Sequence, residues 1–595
     1  MIWHGLALAA SGGAWLRWSA GWWLPLLATG LALWRRSVAL GLLSAFVLAG
    51  WLGHRADAGL DPPPASPVEG WVTLTSDPRP SGPVGVRASA RWGEHRVSLS
   101  AHGPIAGRLD DALAGQQVRI IGSFRPARSS SWTRWRHEVG TITVSEVVDL
   151  AAGSPLTSAA NQVRRLLQDG AGSLGRDDRA VFSGMVVGDD REQSAVVADD
   201  FRAAGLGHLL VVSGQNVAFV LMLAEPLLRR VRPGVRLVAV VVVLVAFLTL
   251  TRFEASVLRA SVMAGAGVGA AVLGSPIDGR RALSASVSAL VLIDPFLVRV
   301  LAFQLSVLAT GGIVWGSAPL AERLPGPLLV RVAAATTIAA QLAVAPLLIA
   351  TFGPIPLAGL PANLLAGPVS GPVMMWGCTG GLVAGVVGGP VAAALHLPTD
   401  WMVGWIRGVA ATSARAPAFT VGWWSWLCFT GAAVGGLAGR RHLGRFVAPL
   451  LLGAGVVVSA SALPSLEPGV HDLGRGVSVH QRSEVVVELR DPGRPGEVLE
   501  TLRGADVRRV DVIVATDGDR ADADAVVALR VRFPGARIVA PPMHRVPGAR
   551  SLHEGTRLEL TGLRVESVVD GDVRRLAVVT CPAASCVTVR PEETP

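Results

Sequence analysis

The sequence predicts a polytopic α-helical membrane protein carrying two soluble regions. Three observations predict it. Half of the 595 residues are hydrophobic, 16% are charged, and the mean hydropathy is +0.46, a balance that belongs in a bilayer. The apolar residues fall in long runs at both flanks of one soluble stretch and then through most of residues 201–465. The formal charge of +10 is uneven: residues 54–150 hold eleven Arg against ten acidic residues, 466–595 hold eighteen against twenty, and the rest holds 25 against fourteen. The basic excess therefore sits on the membrane portion and its loops, where cytoplasmic arginines are expected. Net charge alone is weak evidence for nucleic acid.

Residues 1–53 contain apolar segments before Arg17, across Gly21–Trp34 and across Val38–Leu52. They read as membrane helices, with no small-residue cleavage site after a basic start. Arg35 and Arg36 make their loop cytoplasmic, so the next helix leads residues 54–150 to the outside. After the proline linker Asp61–Pro67, strand-like runs at Gly70–Thr75, Arg96–Ala101, Gln117–Phe124 and Thr141–Val148 predict a small β-barrel or sandwich. Within it Arg119, Arg125, Arg128, Arg134 and Arg136 interleave with Phe124, Trp132 and Trp135. Arginines for phosphates and flat rings for bases suit a sequence-tolerant single-strand face. An aromatic–arginine edge resting on lipid headgroups fits the same residues.

Residues 151–200 read as an amphipathic helical surface segment. The stretch Phe201–Leu223 then combines an apolar run with the polar cluster His208, Ser213, Gly214, Gln215 and Asn216, and with Gly205 and Gly207. Such a segment predicts a broken or re-entrant element facing a wet path or, equally, packing glue between helices. Apolar spans follow at about 237–251, 255–274, 282–316, 328–352, 355–392, 419–437 and 446–462, the longest of them split or kinked. Arg229, Arg230, Arg232 and Arg236 mark one cytoplasmic loop; Arg440, Arg441 and Arg445 mark another. The last helix therefore delivers residues 466–595 outside as well. Within the spans Arg252, Glu254, Arg259, Asp294, Gln304, Gln341 and Asn363 are candidates for function, with a place at the membrane surface the other reading of Arg252 and Glu254. Asp294 before Pro295 reads as a turn or cap, and the amides fit interhelical hydrogen bonds or a pore lining. Four cysteines give no zinc spacing; Cys581 and Cys586 fit a small loop disulfide if that end meets an oxidising compartment.

The phrases MVVGDD, FRAAGLGHLLVVSGQNVAFVL, VLRASVMAG, DPFLVRVLAFQLSVLATGG and AAQLAVAPLLIATFGPIPLAGLPANLLAGPVSGPV, in this order across residues 180–390, resemble the competence region of the ComEC family of DNA-uptake channels. Where that family often has a histidine after the SG pair, this chain has Gln215 and Asn216. The resemblance implies an extracytoplasmic OB-fold-like domain at residues 54–150 and a C-terminal α/β domain similar to metallo-β-lactamases at 466–595. HDLGRGVSV (His471–Val479) resembles a worn form of the latter's opening phrase. The turn that would carry its histidine-rich metal motif holds Asp517, Asp519, Asp522 and Asp524, and His544 and His553 come too late to restore it. Metal-activated hydrolysis needs converging imidazoles and carboxylates. The expectation is a solvated turn, no metal, no cofactor and no enzyme, with carboxylate-held Mg²⁺ or Mn²⁺ the other reading.

The resulting expectation is a channel that moves single-stranded DNA into the cytoplasm. His208, Ser213, Gln215, Asn216, Gln304, Gln341 and Asn363 would line the membrane path, and the arginines and rings of the β-domain would guide the strand. No GxxxxGK[ST] phosphate loop is present, so a partner must supply the drive. The resemblance implies a DNA receptor, a pilus-like apparatus and a cytoplasmic helicase or strand-binding proteins. A secondary transporter and a membrane-tethered metallohydrolase remain as alternatives.

Overall fold

A computed structural model describes residues 2–17, 23–35, 37–81, 85–127, 136–416, 419–438, 442–461, 468–482, 484–542, 545–553, 557–560, 563–570 and 573–580. Arg36, Arg440, Arg441, His544, Cys581 and Cys586 lie outside the described residues. The chain divides into two compact units: residues 1–79, 86–192 and 203–460, and residues 80–85, 193–202 and 461–595.

The first unit opens with helices α1 (Ile2–Leu16), α2 (Trp23–Arg35) and α3 (Val38–Ala58). A barrel follows: β1 (Ser66–Leu74), β2 (Gly85–Trp92), β3 (His95–His102), helix α4 (Pro104–Asp110), β4 (Gln117–Pro126) and β5 (Glu138–Ala151). β4 lies between β1 and β5, β3 runs parallel to β5 and adjoins β2, and β2 returns to β1 through Thr73↔Arg91 and Leu74↔Ala90. That last pairing closes the barrel and removes its edges. Strand alternation fills it with Val68, Val72, Val97, Leu99, Val118, Ile120, Phe124 and Ile142.

Helices α5 (Pro155–Gly170) and α6 (Arg176–Val187) lead into the membrane portion. The surface character expected for residues 151–200 does not hold for α6, whose residues Ala180–Val187 are all buried. The run AVFSGMVV is apolar or small on every side, so it can only be satisfied by helices around it. Helix α7 (Ala195–Ala203) falls largely in the second unit, and after it the chain has no α-helix until α8 (Gly214–Leu228). The membrane bundle continues with α9 (Pro233–Leu250), α10 (Ala255–Val272), α11 (Gly279–Ile293), α12 (Leu301–Ala321), α13 (Leu328–Phe352), α14 (Gly359–Trp376), α15 (Leu382–Val387), α16 (Gly389–Arg415), α17 (Trp423–Ala438) and α18 (His442–Ser461).

Among the described residues, six helices are long and apolar enough to cross a membrane. On α9 the exposed Val235, Val238, Val241, Val242 and Val245 face outward, as lipid-facing positions do. Small residues let other helices touch: a Cβ on Gly312 of α12 would meet the Ala339 carbonyl of α13 at 2.3 Å. The span expected at 282–316 is split at Asp294, whose carboxylate accepts from the Phe296 amide at 3.0 Å. The span expected at 355–392 ends earlier, and a separate 27-residue helix, α16, follows it.

The second unit has a six-stranded sheet whose order runs from Arg550–Ser551 through Arg537–Ala540, Val512–Ala515, Val485–Leu489 and Val477–Gln481 to Gly469–Asp472. Its first four strands pair in parallel and the last three antiparallel. Helices Pro495–Gly504 and Arg520–Arg532 cover one face. The three-stranded antiparallel sheet Arg557–Leu560, Leu563–Asp570 and Val573–Thr580 covers the other, around Val486, Val512, Val514, Val565 and Leu576. Helix α7 belongs to this unit by two ion pairs, Asp199 with Arg503 and Asp200 with Arg532, and by Ala195 and Val196 against the helix-side core.

Candidate functional site: a polar break in the membrane bundle

Residues Ala204–Ser213 are the break. Gly205 holds φ +67°, a left-handed conformation that glycine alone takes without strain, and a Cβ there would come within 2.9 Å of Gly359 Cα. The break thus presses backbone to backbone on the start of α14. A short 3-10 turn, Gly207–Leu209, carries His208 outward. The His208 ring hydrogen-bonds the Gly205 backbone, and Asn363 Nδ2 donates to the carbonyls of Gly359 (2.7 Å) and Gly205 (3.4 Å). Gln341 Nε2 lies 3.4 Å from where a Gly359 Cβ would stand. His208, Gln341 and Asn363, distant in sequence, therefore gather around one pair of glycines.

The other expected path residues divide. Asn216 is 8% exposed; its Nδ2 donates to the Met185 carbonyl of α6 at 2.9 Å and its Oδ1 accepts from Ser213 Oγ at 3.2 Å. Both side chains are satisfied by the protein itself. Gln215 is exposed. Gln304 turns back to the Val298 carbonyl at 2.8 Å and stands apart from the group around Gly205.

Beside the break sits a residue that sequence reasoning singled out without adding to the path. Arg259 of α10 is 5% exposed, donates from Nε to Ser306 Oγ at 2.9 Å, and reaches Met263 Sδ at 3.8 Å. Among the described residues no carboxylate pairs with it. A Cβ on Gly214 would lie 3.1 Å from Arg259 Nη2, so the guanidinium borders the first residue of α8. The charge inside the apolar phrase EASVLRASVMAG was the sequence signal.

A second buried cluster joins the barrel to the bundle. Asp77 follows β1 and accepts from Arg164 Nη2 (3.0 Å), Arg252 Nε (3.1 Å), Arg252 Nη2 (2.9 Å) and the Ala114 amide (2.9 Å). Arg252 also donates to Asn161 Oδ1 at 2.6 Å, and Arg164 to the carbonyls of Val187 and Leu250. Burial alone would raise the Asp77 carboxyl; the charges of Arg164 and Arg252 overcome it and hold it below its ordinary range.

On the barrel, Arg119 and Arg125 point outward from β4, and Arg136 is exposed at the start of the turn into β5. Phe124 does not join them. It is 1% exposed, with its ring 5.4 Å from that of Trp92 inside the barrel, because alternation on β4 sends Val118, Ile120 and Phe124 inward. Arg128, Trp132, Arg134 and Trp135 lie outside the described residues. An aromatic missed in the sequence reading, Trp71, is 44% exposed on β1 directly across from Arg119. The alternating phrase EGWVTL could have found it.

In the second unit the four aspartates do not converge. Asp522 accepts from the amides of Asp517 (3.0 Å) and Gly518 (2.7 Å), Asp519 caps the helix through the Asp522 amide (2.9 Å), and Asp524 points outward. Burial pushes the Asp522 carboxyl up to about 7. Among the described residues no three His, Cys, Asp or Glu side chains are grouped as a metal set.

Residues 185–443, the span that contains the break, Arg259 and the group around Gly205, match a family model described as Competence protein. Over these residues the chain is similar to competence proteins, a likeness that points to a role in DNA uptake, and its six long apolar helices fit a multi-pass membrane protein. No curated protein and no solved structure matches the chain.

Proposed function

We propose that this competence protein passes single-stranded DNA through the cytoplasmic membrane into the cell. The observation that carries the reading is the polar break of the family-matched core, where His208, Gln341 and Asn363 gather around Gly205 and Gly359 and an uncompensated arginine borders Gly214. A phosphate backbone cannot enter hydrocarbon bare, and a line of polar groups with loosened backbone is what its transfer requires.

The flanking regions support the same reading. A five-stranded barrel closed by β1 fits an OB-type domain, and its outer Trp71, Arg119 and Arg125 fit stacking and phosphate contact with a strand. The second unit, with helices on one face of a mixed sheet and a second sheet on the other, fits a metallo-β-lactamase-like fold. Two of its four aspartates, Asp519 and Asp522, are engaged with backbone amides, which favours a domain that has lost hydrolysis. Both regions lie outside the cell in this reading, on the arginine bias of the loops. The drive for transport comes from a cytoplasmic helicase or strand-binding protein, with a DNA receptor and a pilus-like apparatus delivering the strand.

Uptake of labelled DNA into a DNase-resistant pool tests the proposal in a transformable host carrying this chain as its sole competence channel. His208→Leu and Gln215→Leu, both at exposed positions, should lower uptake with the protein still present in the membrane. Undiminished uptake in both variants would remove the break from the path. Uptake that does not depend on the chain, with transport of a small solute that does, would replace the reading by a transporter.

A further inference from the structure

We infer that Arg259 and the uncapped start of α8 form a phosphate-binding station at the outer end of the membrane path, and that its ligand is a phosphodiester of the transported strand. The inference rests on the DNA-transport reading and names a residue-level site within it. Two independent features converge there. Helix α8 is fifteen residues long, and its N-cap Ser213 makes no side-chain capping bond, because Ser213 Oγ donates to Asn216 Oδ1 instead. The first amides of α8, at Gly214 and Gln215, therefore keep their donors, and the helix dipole places partial positive charge at the same point.

The second feature is Arg259 itself. It is nineteen-twentieths buried, its Nε and Nη1 are held by Ser306 and Met263, and its Nη2 is aimed at Gly214. A guanidinium withdrawn from water with no carboxylate beside it costs several kcal/mol. Two other buried arginines of this unit, Arg164 and Arg252, share the carboxylate of Asp77. Arg259 is instead fixed by neutral partners that orient the fork and leave its charge unmatched, which suits a ligand that brings the negative charge. Gly214 makes room: any side chain there would stand at 3.1 Å from Nη2. Arg259 lies four residues into α10, about 6 Å from the end of the helix that meets Arg252 and the barrel-side cluster. A strand arriving from the barrel would meet this station first.

The test uses the full chain in maltoside micelles, which carry no phosphate, with hydrogen–deuterium exchange read at amides 214 and 215 and strand binding followed by fluorescence anisotropy. Three probes are added separately: a short single-stranded oligonucleotide, inorganic phosphate and short-chain phosphatidylglycerol. The expected result is slowing of those two amides by about tenfold or more with the oligonucleotide, the size of a charge-assisted hydrogen bond. That slowing should vanish in Arg259→Gln and return in part in Arg259→Lys, with all three proteins eluting as one species. Oligonucleotide binding with no change at these amides would overturn the station and leave the transport reading standing. No oligonucleotide binding anywhere on the chain would remove both. Slowing by phosphatidylglycerol alone would make the site a lipid contact and overturn the inference.

Discussion

Asp77→Asn is the sharpest perturbation of the fold that the function needs, because one carboxylate joins the barrel to the membrane bundle. It accepts from two arginines separated from it by 87 and 175 residues, and from the Ala114 amide. Asparagine keeps the shape and can still accept from Ala114. What disappears is the charge, leaving Arg164 with Asp189 at 3.3 Å and Arg252 with the neutral Asn161. Removing one partner of a buried pair costs about 3–5 kcal/mol, so roughly 3 kcal/mol is expected with the amide contacts retained. The Ala114 amide reports it directly: its exchange in the full-length protein should speed up about a hundredfold, at 1.36 kcal/mol per decade. The double variant Asp77→Asn/Arg252→Gln should recover about 1–2 kcal/mol relative to additivity. The pH dependence has a fixed sign. A carboxyl held low in the folded state adds stability above its unfolded pKa of about 3.9, and that stability is lost as pH falls further. Exchange at Ala114 changed by less than a factor of two, with additive energies in the cycle, would refute the view of Asp77 as the joint.

Asp522 behaves in the opposite way: its carboxyl is pushed up to about 7, so the second unit should lose stability as pH rises from about 4 to 7, and Asp522→Asn should flatten that slope in exchange measured across residues 512–530. An unchanged slope in the variant would contradict the assignment. Phe124→Ala should destabilise the barrel by about 3–5 kcal/mol, read as faster exchange on β4 and β5, since it empties a closed core. Trp71→Ala with Arg119→Gln should leave that exchange within about twofold and instead weaken binding of a single strand by about tenfold, from one stacked base and one phosphate contact. Asn216→Leu strands the Met185 carbonyl in the bundle and should lower the amount of folded protein, whereas Gln215→Leu should not; equal yields would show that Asn216 is not a packing group.

The membrane character, the barrel and the break were legible because each leaves a local trace. Hydropathy marks most spans, alternation marks Gln117–Phe124, and the glycines and polar residues around His208 interrupt an apolar run. The failures came from reading composition without geometry. Arginines and rings between Arg119 and Arg136 suggested a binding face, yet the alternation that predicted the strand also turns Phe124 inward. Helix α16 was missed beyond residue 392, because Pro398, Asp400 and Arg407 dilute its apolar pattern. Arg407 is held by Asp178 at 2.8 Å, a contact across 229 residues that no window can see. The Asp77 cluster is equally invisible, since each of its members reads alone as a surface charge.

Polar groups in a low-dielectric bundle are sorted by whether the protein answers them. Asn216, Ser213 and Gln304 are answered by side chain or backbone nearby, and Arg164 and Arg252 by Asp77. The same chemistry that recommends such residues as a pore lining makes them good glue once they are paired. His208 and Gln215 stay exposed, and Arg259 keeps a charge that no described acid neutralises. Exposure and unmatched charge occur together within a few residues of Gly214, where the helix also offers free amides. A polyanion needs that combination. Scattered amides offer hydrogen bonds without countercharge, so under the proposed transport function the region around Gly214 has a stronger physical claim to a strand than the individual polar residues of the spans.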